Sequence, residues 1–142
     1  MPGAQRSIVI NAPVEKCFEV ICDYERYPEF LPEVKKTRAV NRRGNECDVH
    51  YEAEVVKLIK YTVHIKEERP NRVTWTYIDG DFMRDNKGGW LLEDLGEGRT
   101  KATYSIEVVL GPLVPKALVN ALVDTQLPRL LENFKKRIES RP

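Results

Sequence analysis

Of the six tyrosines in this chain, Tyr51, Tyr61, Tyr77 and Tyr104 fall in one alternating phase, together with Trp75 and Trp90. Each phenol or indole brings a large apolar body and a single polar tip, and a tip buried under a sheet needs a hydrogen-bond partner. Two arrangements meet that need. The rings can pack against a covering helix with their tips at the sheet rim, or they can line an amphipathic cavity of the kind that holds small molecules. Acid–base catalysis asks for something else, a carboxylate or imidazole inside the cavity with its pKa displaced by burial. The covered phase offers tyrosines instead. Arg38, in phase with Val34 and Val40, is the best candidate for an inward charge, with a place at a strand edge as the alternative. No Ser/His/Asp arrangement and no phosphate-cradling glycine loop occurs, so no catalytic residue is assigned.

Cysteine and histidine add little to this chemistry. Cys17, Cys22 and Cys47 form neither an even disulfide framework nor a zinc-site spacing, and they read as small packing elements in a reducing compartment. Cys17 and Cys22 lie too far apart on a helical face to chelate together. His50 and His64 alternate with apolar neighbours, which puts both on the solvent face. Neither a metal nor a cofactor is expected. Lys and Arg number 23 against 22 Asp and Glu, a net charge of +1, so there is no basic field and DNA is not expected as a partner. With 142 residues, 42% hydrophobic and 32% charged, the chain fits one globular domain over residues 1–142. No stretch approaches the length of a membrane-spanning helix and Met1–Arg6 lacks the pattern of a signal peptide, so the protein reads as cytoplasmic.

The elements that must position the aromatic rings come from two periodicities. From Val34 to Leu110 apolar and polar residues alternate, with turn signals at Arg43-Gly44-Asn45, Pro70-Asn71, Asp79-Gly80 and Leu95-Gly96-Glu97-Gly98. That pattern predicts six antiparallel strands with one wet and one covered face. Gly88-Gly89 marks a bulge or a close backbone approach. Upstream, Ser7 to Asn11 reads as a strand, and Ala12-Pro13 opens a helix with the proline in its first turn. Val14, Cys17, Phe18, Ile21 and Cys22 make the apolar stripe of that helix. A second short helix or turn covers Asp23 to Arg26, after which the prolines of Tyr27-Pro28-Glu29-Phe30-Leu31-Pro32 break regular structure. Downstream, Leu113 to Ile138 carries the longest helical periodicity, and Pro128 predicts a kink over Asp124 to Leu127. A long sheet with one apolar face and one long helix to cover it implies an α+β fold: a curved antiparallel sheet of about seven strands wrapped around the C-terminal helix, with two short helices after the first strand.

That order of elements and several local strings resemble the START-like superfamily, also called polyketide cyclase/dehydrase, SRPBCC or Bet v 1-like, and the resemblance implies its helix-grip fold. The strings are Ala12-Pro13, Asp23 with Tyr27-Pro28-Glu29-Phe30-Leu31-Pro32, Asp79-Gly80-Asp81-Phe82, and Gly89-Trp90. They are most similar to the subgroup of coenzyme Q-binding proteins and bacterial ribosome-association toxins. Two positions depart from it: Asp81 stands where proline is frequent, and the next strand is polar at Arg84-Asp85-Asn86-Lys87. The resemblance implies a hydrophobic cavity floored by the long helix, its mouth flanked by the Phe30-Leu31 and Phe82-Met83 loops. The implied lining is Phe18, Phe30, Leu31, Tyr51, Val63, Trp75, Tyr77, Phe82, Met83, Trp90, Tyr104, Leu118 and Leu122. The expected function is binding or carriage of a hydrophobic small molecule, such as an isoprenoid quinone, a lipid or a polyketide-like compound. The alternatives are a polyketide cyclase or dehydratase and a ribosome-associated regulatory protein. For a peripheral membrane or ribosome contact the candidates are Lys135-Lys136-Arg137 with Arg141, whose cations also suit a helix C-terminus without any partner. Leu58-Ile59, read as a turn between strands, is either an exposed apolar tip or a bent continuation of the core.

Overall fold

The computed structural model describes residues 3–55, 57–112, 114, 116–117 and 126–140. Its elements are β1 (Gly3–Ile10), α1 (Val14–Ile21), a 3₁₀-helix (Tyr24–Glu29), β2 (Val34–Arg43), β3 (Glu46–Val55), β4 (Lys57–Glu68), β5 (Arg72–Gly80), β6 (Met83–Gly96), β7 (Arg99–Leu110) and α2 (Leu127–Ser140). The period-two stretches pair antiparallel into one seven-stranded sheet, in the order β1-β7-β6-β5-β4-β3-β2. Consecutive strands are neighbours except that β1 closes on β7, so the expected α+β helix-grip fold is the one observed.

The strands approach most closely at the glycine pair Gly88-Gly89, where no side chain would fit. A Cβ on Gly88 would stand 2.1 Å from the Ser105 carbonyl oxygen and 2.9 Å from the Trp75 ring, and one on Gly89 would stand 2.7 Å from the Val73 oxygen. Register runs through both residues without a shift, so the pair marks a close backbone approach and not a bulge. The β5–β6 ladder runs from Arg72 opposite Leu91 only as far as Trp75 opposite Gly88. Beyond that point the two strands part.

On the concave face, α2 buries Leu127, Leu131, Phe134 and Ile138 at helical spacing, as the apolar stripe requires. Phe134 stands edge-on to Tyr27, Phe30 and Trp90, with ring centroids 5.3, 5.0 and 5.0 Å away. It joins the helix, the 3₁₀ segment and the sheet. Residues 118–125, which hold Leu118, Leu122 and the first half of the expected kink at Asp124 to Leu127, lie outside the described residues.

Several local expectations are corrected. Pro13 is the N-cap of α1, in extended conformation, and its carbonyl accepts from the Lys16 and Cys17 amides. Proline has no N–H to lose there. The second short helix is the 3₁₀ turn Tyr24–Glu29, and it contains Pro28, whose fixed φ suits that geometry. In β2 a register shift between Val34 and Lys36 reverses the alternation. Arg38 is therefore exposed, and Thr37 turns inward to donate to the Tyr24 carbonyl at 2.6 Å. Leu58 and Ile59 sit in β4 opposite Glu54 and Ala53, not in a turn; Leu58 is exposed and Ile59 is buried.

Candidate functional site

Between the sheet and α2 lie two adjoining chambers. The inner one, about 80 Å³, is walled by aromatic rings on neighbouring strands, among them Tyr51, Tyr61, Trp75, Trp90 and Tyr104. Tyr51 and Tyr61 are directly opposite in the β3–β4 ladder and stack face to face at 4.9 Å, while Tyr104 stands against both Trp75 and Trp90. The outer chamber, about 170 Å³, is aliphatic: Ala4, Ile59, Met83, Val108, Leu110 and Leu127. Val34, Tyr61, Asn86, Tyr104, Ile106 and Leu130 border both, so the two form one interior.

Among the described residues the hydroxyls of Tyr51, Tyr61 and Tyr104 have no hydrogen-bond partner, yet none is sealed away from the open space they line. Burial, and after it neighbouring ionisable groups, pushes all three phenols well above their ordinary pKa. They remain neutral and can donate a proton into a hydrogen bond. Asn86, at the junction of the chambers, is a further polar group inside, 5% exposed, and its Oδ1 accepts from Trp75 Nε1 at 3.1 Å, while Gln126 borders the outer chamber. That bond crosses the gap where the β5–β6 ladder has stopped. Glu33 and Asp81 border the outer chamber, and Asp81 is also held in the fold, its Oδ2 accepting from the Lys60 amide at 3.1 Å. Among the described residues no lysine, arginine or histidine lines either chamber.

Of the residues expected at the site, Leu31, Tyr51, Val63, Trp75, Trp90 and Tyr104 line the inner chamber, and Phe82 and Met83, with Tyr104 again, the outer one. Phe82 is exposed, at φ 62°, with the Lys57 ammonium 4.1 Å from its ring centre. Three others are placed elsewhere. Phe18 is core beneath Arg69, because its helix turns that face toward the sheet end and not into the cavity. Phe30 is wedged between Phe134 and Arg137. Tyr77 donates to the Gly80 and Met83 carbonyls at 3.2 and 3.1 Å, tying the β5–β6 turn. The mouth is consequently not flanked by Phe30-Leu31: Leu31 is 1% exposed and points into the inner chamber.

Asn86 was hidden by the polar run around it. It shares the phase of Trp90 and Leu92, both buried, and counting back from Trp90 by twos would have reached it. Tyr61 carried the same signal. Ile59 carried it too, in phase with Tyr61, Val63 and Ile65, and Leu130 lay within the helical periodicity of the C-terminal stretch, whereas Glu33, just before β2, had none.

Elsewhere several charged side chains are engaged within the fold. Lys135 donates to the Val9 carbonyl and pairs with Glu139, and Arg137 binds Glu29 at 2.6 Å. Cys17 and Cys47 are buried and Cys22 half-buried; desolvation above all, then Glu67, pushes Cys22 up to about 12, leaving an inert thiol. On the outer face His64 is clamped between Glu46 and Asp48 at 2.7 Å each. Among the described residues no cluster could hold a metal ion, and no helix is long and apolar enough to cross a membrane.

A curved antiparallel sheet gripping a C-terminal helix over an apolar interior defines the START-like class of proteins. Within it, the chain belongs to the polyketide cyclase/dehydrase and lipid transport family, whose sequence model matches residues 10–135. Similar solved structures include an aromatase/cyclase from Streptomyces sp. R1128, at 14% identity and TM-score 0.89 over 98% of this chain and 94% of that one. A START superfamily protein from Mycobacterium smegmatis matches at 18% identity and TM-score 0.85, covering 96% and 97% of the two chains. A STAR-related lipid transfer protein from Xanthomonas axonopodis matches at 15% identity and TM-score 0.81, covering 97% and 86%. At such identities what is shared is the fold. No curated protein sequence matches the chain.

Proposed function

We propose that this protein binds and carries an apolar small molecule in the two-chamber interior and does not transform it. The observation that carries this reading is the set of unpartnered phenol hydroxyls facing an otherwise apolar space. A solid core would leave such groups costly and idle, whereas a ligand with a polar end would satisfy them. A family described by both cyclisation and lipid transport supports a hydrophobic ligand. An isoprenoid quinone, a lipid and a polyketide-like compound all fit the description, the first in keeping with the Tyr27–Pro32 string.

Cyclase or dehydratase chemistry is the second reading, favoured by the high structural similarity to an aromatase/cyclase. It would have to draw its acid or base from Glu33 or Asp81, the carboxylates bordering the chambers. Native mass spectrometry and organic extraction of the purified protein test the first reading: a copurifying apolar molecule is expected. A turnover assay with polyketide-like compounds separates the two. Product formation that Glu33→Gln abolishes with binding retained would overturn the carrier reading.

A further inference from the structure

Among the described residues, Asn86 is a buried side chain at the junction of the chambers whose hydrogen-bonding capacity is only half used. An indole N–H can only donate, so the 3.1 Å bond from Trp75 Nε1 must end on the Asn86 oxygen. That fixes which way the amide points. Its NH₂ group is then left with a single neighbour, the Met83 sulfur at 4.0 Å, a weak acceptor at long range. An amide donor this deeply buried costs free energy unless an acceptor reaches it. The hydroxyls of Tyr61 and Tyr104 border the same two chambers and also lack partners.

Resting on the binding reading above, we propose that Asn86, oriented by Trp75, is the specificity-determining anchor of the site, and that the ligand it selects is an uncharged molecule bearing a carbonyl oxygen. A carbonyl accepts two hydrogen bonds and brings no proton of its own, so it can take the Asn86 amide and one phenol together. Its apolar body then fills the aliphatic outer chamber. Carboxylates and phosphates are rejected because they would be stripped of water with no cation among the described lining residues, beside Glu33 and Asp81. The field of Glu33 reaches the spot already: it contributes to raising both Tyr61 and Tyr104. Trp75 acts as a positioning residue, since without its N–H the amide is free to turn.

Calorimetric titration with four probes on one ring system decides this: acetylnaphthalene, methyl naphthoate, ethylnaphthalene and naphthoate. The ketone and the ester are expected to bind about three- to tenfold more tightly than the hydrocarbon, and the anion more weakly than all three. Whichever of ketone and ester binds more tightly identifies the source of the carbonyl. Asn86→Leu should bring the ketone down to the level of ethylnaphthalene while leaving ethylnaphthalene within about twofold. Trp75→Phe, which keeps an aromatic ring in the wall, should lower the ketone-to-hydrocarbon ratio and serves if the leucine variant does not fold. Naphthoate binding as tightly as its methyl ester overturns the charge assignment. A ratio unchanged in both variants overturns the role of Asn86. If none of the four binds, the cavity reading itself fails, and this inference with it.

Discussion

The six tyrosines divide evenly between two regions by what their hydroxyls meet, although the rings of Tyr24 and Tyr27 also wall the inner chamber, and the division separates bracing from binding. At the 3₁₀ end and the β5–β6 turn every hydroxyl meets a protein acceptor: Tyr24 donates to Glu67 at 2.7 Å, Tyr27 to the Ile21 carbonyl at the end of α1, and Tyr77 to Gly80 and Met83. Around the chambers Tyr51, Tyr61 and Tyr104 meet none among the described residues. Residue type is the same in both regions. What differs is whether a carbonyl or carboxylate stands opposite the ring tip, supplied to Tyr24 by Glu67 of a distant strand and to Tyr27 and Tyr77 by residues three to six positions away. A helix end exposes carbonyls that need donors, whereas a concave sheet face has spent its own on the ladder.

Breaking the contrast most severely is Phe134→Ala, because Phe134 touches both regions. A loss of about 3–5 kcal/mol in chemical denaturation is expected, together with weakened ligand binding. A loss below about 1 kcal/mol would mean that the ring does not couple the regions. Next, Tyr27→Phe strands the Ile21 carbonyl in the core and should cost about 1–3 kcal/mol without altering which probes bind. Tyr77→Phe is milder, about 0.5–1.5 kcal/mol, with ligand affinity unchanged. Tyr61→Phe and Tyr104→Phe should invert the pattern. Stability should hold within about 0.5 kcal/mol, while affinity for acetylnaphthalene falls by up to about tenfold. If thermal melting shows Tyr104→Phe as damaging as Tyr27→Phe, the distinction between bracing and binding tyrosines is lost.

The smallest effect is expected on the outer face. Hydrogen bonds to Glu46 and then Asp48 raise the His64 pKa above 6.5, and bonds from Asn41 and then His64 lower Asp48 below 3.8. Protonated His64 favours the fold, so its contribution is complete below about pH 6.5 and is lost as pH rises through the folded value. The Asp48 contribution has the opposite sign, present above about pH 3.8 and lost as pH falls through its own depressed value. The His64 side chain is 42% exposed, and solvent screens the gain. The melting difference between the wild type and His64→Gln should shrink between about pH 5.5 and pH 8.5. A difference constant across that range would remove the clamp from the account.

Much of the fold could be read from periodicity. Hairpin turns at Gly44, Pro70, Gly80 and Gly96 and the stripe Leu127, Leu131, Phe134 and Ile138 all rest on local rules of backbone freedom and spacing. The site was legible where alternation ran unbroken, as at Tyr51, Val63 and Trp90. It failed at Arg38, where a single register shift turned Thr37 inward in its place, because a one-residue slip moves every later side chain to the other face. It failed also at Asn86, whose charged neighbours concealed its phase, and at Phe18, Phe30 and Tyr77, whose apolar character does not say which buried space they fill.

The sequence by itself determined the α+β architecture, the strand order's raw material and the aromatic character of the concave face, since these follow from residue spacing and the need to bury one side of a sheet. Only the tertiary structure decided which polar tips would find partners. A hydrogen bond depends on the position of two groups to within a few tenths of an ångström, and Trp75 with Asn86, across the gap between β5 and β6, or Tyr24 with Glu67, 43 residues apart, reach that position through tertiary packing and not through their spacing in the chain.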